Sequence, residues 1–237
     1  MADKLLEGQR VLITGGAGGV GRETAARMLA AGARVISADI AGAERHAEGA
    51  TRFSGDLARP EDIERLFAFV DAQLGGLDVL VACAGVPADP LMSISDAGWR
   101  QVIDANLVSY VGCAKQAIER IRAGGRGGHL IFVGSISVHI KAVGESVYNA
   151  SKGGVALFAE TLRKEMIPEK IRVTLIEPGA IATHLQPYDA DKLAEFEKNL
   201  EMLPAGEVAE TILFAATRPP GVDLVTLRIE PLVQKIV

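Results

Sequence analysis

Val11-Leu12-Ile13-Thr14-Gly15-Gly16-Ala17-Gly18-Gly19-Val20-Gly21 is an apolar run that passes directly into five glycines in seven residues. The run reads as a buried strand, and the amphipathic pattern over 20–31 as the helix that follows. Glycine suits the junction because the backbone there must turn sharply and lie close to whatever it binds. The helix start adds unpaired N–H groups and the positive end of a dipole, which together suit a pyrophosphate. The spacing satisfies GxGxxG from Gly16, and both GxxGxxG and GxxxGxG from Gly15, so it does not separate one dinucleotide turn from another. A GxxxxGK[ST] phosphate loop fails, since Arg22 and Glu23 follow Gly21. A tight turn with no ligand is the plain alternative, and the strand before and helix after weigh against it.

Outward from this turn, strand-like and helix-like runs alternate. Strands are expected over 34–38, 51–54, 79–82, 129–134, 171–176 and 224–229. Helices are expected over 62–74, 99–122, 147–166 and 205–216. Repeated βα units imply right-handed crossovers and a doubly wound, Rossmann-type α/β fold, a parallel sheet of about seven strands with helices on both faces. No linker, repeat or change of composition divides the chain, so one domain over 1–237 is expected, with a substrate flap at about 180–203.

The 237 residues suit one large core, and 49% hydrophobic with only 5% aromatic residues suits parallel strands buried between helices. A net charge of −5 argues against a nucleic-acid partner. The basic, glycine-rich stretch 122–128 reads as a turn between helix and strand. Cys83 and Cys113 form neither a disulfide framework nor a CxxC pair, so a reduced, cytoplasmic setting is expected. Residues 1–10 show no signal peptide, and no apolar run approaches the ~18 residues of a membrane helix. His46, His129, His139 and His184 lack ligand spacing, so no metal site is expected.

Chemistry-bearing residues fall at strand ends. Asp39 closes the second strand, where a carboxylate accepts both ribose hydroxyls of NAD and repels the extra phosphate of NADP. No Arg or Lys stands at 38, 40 or 41, or within the glycine turn. A helix cap or loop acid is the alternative for Asp39. Asp56-Leu57 follows the third strand and suits an adenine contact, or a plain N-cap before Pro60. Tyr148 and Lys152 lie four apart in an expected helix, about one turn (~5.4 Å) apart on one face. An ammonium ~4 Å from a phenol supplies up to ~4 kcal/mol at an effective dielectric of ~20, roughly three pKa units, enough for acid–base work near neutrality. Ser135 follows the strand 129–134 at its carboxyl end, where its hydroxyl can stabilise a developing alkoxide beside the phenol. Asn106 sits inside the long helix, an unfavourable place that suggests a local break and a buried amide holding a relay water.

Thr14-Gly15-x-x-x-Gly19-x-Gly21, Asp39, Asp56, Asn106, Ser135, Tyr148-x-x-x-Lys152 and Pro178-Gly179…Thr183 together resemble the short-chain dehydrogenase/reductase family in its short single-domain branch. The resemblance runs from about Arg10 to Thr183. It implies an NAD(H)-dependent oxidoreductase that interconverts a secondary alcohol, or hydroxy acid, and its ketone. Tyr148 is then the proton donor or acceptor, Lys152 lowers its pKa and holds the nicotinamide ribose, Ser135 orients the substrate oxygen and Asn106 supports the relay. It also implies cofactor contacts from Gly15, Gly19, Val20, Gly21, Asp39, Ile40, Asp56, Leu57, Ala84, Gly85, Tyr148, Lys152, Pro178, Gly179, Ile181 and Thr183.

Two departures stand out. Where the family has Asn-Asn-Ala-Gly, this chain has Ala82-Cys83-Ala84-Gly85, so an amide that ties neighbouring strands and flanks the cofactor is absent. The ending Val222-Asp223-Leu224-Val225-Thr226-Leu227-Arg228-Ile229-Glu230-Pro231 is more loosely similar to bacterial serine and 3-hydroxy-acid dehydrogenases. The substrate pocket is expected from 86–92, 137–145 and the flap, with His139, Lys141, His184 and Tyr188 as polar candidates among small or apolar residues. The helix bearing Tyr148 is apolar nearly all round, which suggests a homodimer or homotetramer packed through it and through 99–122. A nucleotide-sensing protein that keeps the fold without turnover is the competing reading, though such a protein need not keep Ser135, Tyr148 and Lys152 together.

Overall fold

The computed structural model describes residues 4–234; the outermost parts of the span 1–237, including the first three residues of the stretch read for a signal peptide, lie outside the described residues. Seven parallel strands form one open sheet in the order β3-β2-β1-β4-β5-β6-β7. They are β1 (Arg10–Thr14), β2 (Arg34–Asp39), β3 (Thr51–Ser54), β4 (Val79–Ala82), β5 (Gly128–Val133), β6 (Ile171–Pro178) and β7 (Thr226–Ile229). The chain runs outward from β1 to β3, then returns to place β4 on the other side of β1. That reversal between β1 and β4 opens a crevice at the carboxyl ends of the strands, the usual place for a ligand in an open parallel sheet.

Both faces of the sheet are buried. Val11, Ile13, Val79, Val81 and Ile131 face α1 (Gly19–Ala30) and α8 (Ala205–Ala216). Leu12, Leu80, Leu130 and Phe132 face the other way, against α2 (Pro60–Leu74), α4 (Ser109–Gly124) and α6 (Ser146–Met166). Continuous apolar runs, rather than alternating ones, follow from a strand packed on both sides. α2 begins with Pro60 at its first turn and ends at Gly75, as its sequence signals suggest.

The helix expected over 99–122 differs from expectation in two ways. It starts earlier, as α3 (Asp96–Ile103), because the Ser95 side chain accepts a hydrogen bond from the Gly98 N–H and caps it. It is then interrupted by a π turn over Asp104–Val108, centred on fully buried Asn106, before α4 continues. The flap is also more ordered than a loop. It contains α7 (Ala190–Lys198), whose N-terminus is capped by Asp189 accepting from the Lys192 N–H. Ile181 bridges to Leu203, which ties the two ends of the flap together.

Candidate active site

The glycine turn follows β1 directly. Gly15 has φ +68°, and a Cβ built there would lie 2.6 Å from the Ala84 nitrogen. A Cβ on Gly21 would lie 2.1 Å from the Gly15 carbonyl oxygen. Side chains are thus excluded at both positions, by conformation at the first and by close approach at both. Gly18, the N-cap of α1, has no side chain to cap the helix, so the N–H groups of its first turn face the crevice. Val20 is buried in the core and anchors that turn. Gly19 lies against Thr183, whose methyl would be 2.7 Å from an added Cβ.

The adjoining cleft, of about 280 Å³, is lined by Gly15, Asp39, Ile40, Asp56, Leu57, Ala84 and Gly85 among others. Asp39 already holds the loops around it, its Oδ2 accepting from the Ala17 N–H at 3.0 Å and its Oδ1 from the Ala41 N–H at 3.0 Å. Each oxygen keeps capacity for a further donor. Asp56 closes a short turn by accepting from the Ala58 N–H. Arg45 also lines this cleft, a cation missed by a reading that searched only the positions beside Asp39. A glycine turn with no room for side chains, an open helix start and an acidic wall at Asp39 fit a dinucleotide.

At the other end of the crevice, Pro178 ends β6 and the Gly179 N–H donates to the Ile229 carbonyl at 2.7 Å. Ser135 lies two residues beyond the end of β5, and its Oγ accepts from the Ser137 N–H at the start of the short α5 (Ser137–Ile140). Tyr148 stands in the first turn of α6, hydrogen-bonded to Ser135. Burial raises the Tyr148 phenol above its ordinary value; the Ser135 hydrogen bond works against that, and Glu145 adds to it. Lys152 is buried one turn further on. Burial pulls its ammonium down to about 8. Its Nζ donates to the Val133 carbonyl at 3.0 Å and lies 6.0 Å from the centre of the Tyr148 ring. The close cation–phenol pair expected from the i,i+4 spacing is therefore not formed here. The lysine has turned toward a strand end, and at the tyrosine burial outweighs the Ser135 hydrogen bond.

The Asn106 amide meets the chain on both sides of Val86, accepting from its N–H at 2.8 Å and donating to its carbonyl at 2.9 Å. Its second proton goes to Ser151 Oγ at 3.2 Å. A Cβ on Gly85 would lie 3.4 Å from Asn106 Oδ1 and 3.6 Å from Lys152 Nζ, so both groups converge on that glycine. The amide expected to hold a water is thus largely spent on protein.

Among the polar candidates for the substrate pocket, His139 points Nε2 at buried Glu177, 3.0 Å away. His184 lies over the glycine turn and lines the nucleotide cleft instead. Tyr188 packs edge-on against Phe196 of the flap helix.

The family model for short chain dehydrogenases matches residues 9–194. The chain belongs to that family. As a short-chain dehydrogenase it resembles the 3-oxoacyl-[acyl-carrier-protein] reductase of Synechocystis, 31% identical over 90% of this chain and 91% of that one. It also resembles the farnesol dehydrogenase of Aedes aegypti, 30% identical over 76% of this chain and 74% of that one. Among solved structures, a dehydrogenase/reductase from Sinorhizobium meliloti superposes with a TM-score of 0.84 at 26% identity, covering 95% of both chains. The protein is an oxidoreductase of the kind that uses a nicotinamide cofactor and acts on CH–OH groups. Among the described residues no helix is long and apolar enough to cross a membrane, and no three His, Cys, Asp or Glu side chains gather as for a metal ion.

Proposed function

We propose that this short-chain dehydrogenase is NAD-dependent and interconverts a secondary alcohol or hydroxy acid with its ketone through Tyr148, Lys152 and Ser135. The observation that carries the reading is the gathering of these three side chains and Asn106 at the carboxyl edge of β4 and β5, in the same crevice as the glycine turn. In this reading Gly15, Gly19, Val20 and Gly21 would hold the dinucleotide's phosphates, and Asp39, Ile40, Asp56 and Leu57 its adenosine half. Ala84, Gly85, Pro178, Gly179, Ile181 and Thr183 would flank its nicotinamide half. A nicotinamide held there would supply or take up the hydride at the substrate carbon.

The residues of the chain handle the proton. Ser135 donates to the substrate oxygen and holds it beside the Tyr148 hydroxyl. Tyr148 gives or takes the proton at that oxygen. Lys152 needs only a rotation of its side chain away from Val133 to bring its charge to the phenol and to a ribose hydroxyl, which would lower the Tyr148 value toward the working range. Asn106 keeps the 84–86 segment against the cofactor. Asp39 favours NAD over NADP through repulsion of a 2′-phosphate, with Arg45, a cation lining the same cleft, opposing that preference.

The testing experiment is NAD reduction across secondary alcohols, 3-hydroxy acids and polyols, with NADP and a Tyr148→Phe variant as controls. Turnover with NAD, reduced 10²–10⁴-fold in the variant and weak with NADP, is expected. Equal turnover with NADP refutes the role of Asp39, full activity of Tyr148→Phe refutes the shuttle, and absence of NADH binding refutes the reading as a whole.

A further inference from the structure

Tyr110 is the second residue of α4, just after the π turn, and is almost wholly buried, at 1% exposure. Its ring packs against Phe132 within the core, with ring centres 6.1 Å apart. Its hydroxyl emerges at the carboxyl ends of two adjacent strands. It lies 2.8 Å from the Ala84 carbonyl, just beyond β4, and 3.1 Å from the Val133 carbonyl, the last of β5. Lys152 Nζ meets the same pair of atoms, 3.0 Å from the Val133 oxygen and 3.5 Å from the phenol oxygen, with the ammonium 5.2 Å from the ring centre.

A phenylalanine would fill the same space without having to bury a hydroxyl, so the hydroxyl needs a reason to be there. A phenol carries one proton and two lone pairs. It can donate to one strand-end carbonyl at a time while still accepting from an ammonium, which neither a lysine nor a carbonyl can do. Burial holds this phenol far above its ordinary value, so the donating proton stays in place throughout any neutral working range. Cys83, one residue beyond β4, interacts electrostatically with both Lys152 and Tyr110 but is a weak donor whose thiol burial pushes up to about 12.

We infer that Tyr110 is the positioning residue for Lys152: its hydroxyl joins the ends of β4 and β5 and presents a second acceptor that parks the lysine beside the crevice. The inference rests on the proposed role of Lys152, but its structural part stands in the ligand-free protein. It makes the helix after the π turn a direct support of the proton-handling residues rather than a packing element alone.

The experiment is a pH titration of the ligand-free protein, labelled with ¹³C-lysine, as wild type, Tyr110→Phe, and Tyr110→Phe with Cys83→Asn. The Lys152 resonance is assigned by its loss in Lys152→Met. Loss of an acceptor disfavours the charged form, so Tyr110→Phe is expected to lower the Lys152 titration by about half a unit or more. The amide at position 83 is expected to restore at least part of that shift. A Lys152 value unmoved or raised in folded Tyr110→Phe overturns the inference. If Tyr110→Phe does not fold, recovery of folding and of the wild-type titration in the double variant upholds it, and failure of both variants to fold reduces Tyr110 to a core residue and overturns it. Because nothing in this measurement uses NADH or a substrate, its failure is separable from failure of the NAD-dependent reading.

Discussion

Two buried charges mark opposite ends of the same sheet, and they are treated in opposite ways. Asp78, just ahead of β4 at the amino edge, accepts from the Arg10 N–H, Nε and Nη2 and from Arg126 Nη2, all within 3.0 Å. Burial pushes its carboxyl up, but these hydrogen bonds and the two guanidinium charges outweigh burial and hold it below the ordinary carboxylate value. Lys152, at the carboxyl edge, has a carbonyl and a phenol for company and no carboxylate among the described residues. Burial dominates its state, with Cys83 opposing it only weakly. The amino edge satisfies its charge and is stabilised by it; the carboxyl edge leaves its charge wanting a partner, which a ligand can supply. Strain of this kind gathers at functional sites and is offset elsewhere in a fold.

The sharpest way to break the contrast is Asp78→Ala. Removing one side of a buried, fully paired cluster is expected to cost about 3–5 kcal/mol of unfolding free energy, read by urea denaturation, with NADH affinity of the folded fraction unchanged. A loss below about 1 kcal/mol would put both edges on the same footing. The contribution of Asp78 is present above the ordinary carboxylate value and is lost as the pH falls through its lowered one.

Lys152→Met is expected to do the reverse, abolishing turnover while raising stability at pH 7. With the folded value at about 8 against 10.5 for a free lysine, the unfolded chain holds the proton more firmly. Wild-type stability therefore rises as the pH climbs from 8 to 10.5. At ~1.4 kcal/mol per unit, the gain in Lys152→Met is about 3 kcal/mol at pH 7 and vanishes near pH 10.5. A gain that stays constant across that window would show that packing, not charge, sets the difference. The smallest effect belongs to Arg126→Ala. This exposed arginine reaches Asp78 Oδ1 at 3.0 Å, yet Arg10 covers both oxygens without it. A loss under about 1 kcal/mol, fading with added salt, is expected from paired denaturation curves at low and high salt.

The contrast also explains what could be read from the sequence. The seven strands and the glycine turn were legible because buried parallel strands leave unbroken apolar runs and the turn admits little but glycine. Ser135, Tyr148 and Lys152 were legible as positions at strand and helix ends on one edge. The direction in which Lys152 turns was not, because i,i+4 spacing fixes the face of a helix and not the rotamer of a four-carbon side chain. Asn106 announced an irregularity in its helix, and the π turn falls there. Tyr110 gave no such sign, since an aromatic on the apolar face of a long helix reads as core, and its contacts with Ala84 and Val133 lie 26 and 23 residues away in sequence. The flap helix was missed although Asp189, three residues before Lys192, carried its capping signal.

The π turn has one more effect, on phase. An α-helix advances 100° per residue, so the one residue gained in a wider turn rotates everything beyond it by about that angle relative to a regular continuation. α3 and α4 share an axis but not a pattern of faces. Residues on either side of 104–108 are released from the rule that positions three or four apart are neighbours. The helix thereby keeps Cys113, Ala114, Ala117 and Ile121 in register with the sheet while turning Asn106 toward Val86, as a gear slipped by one tooth still drives the same shaft.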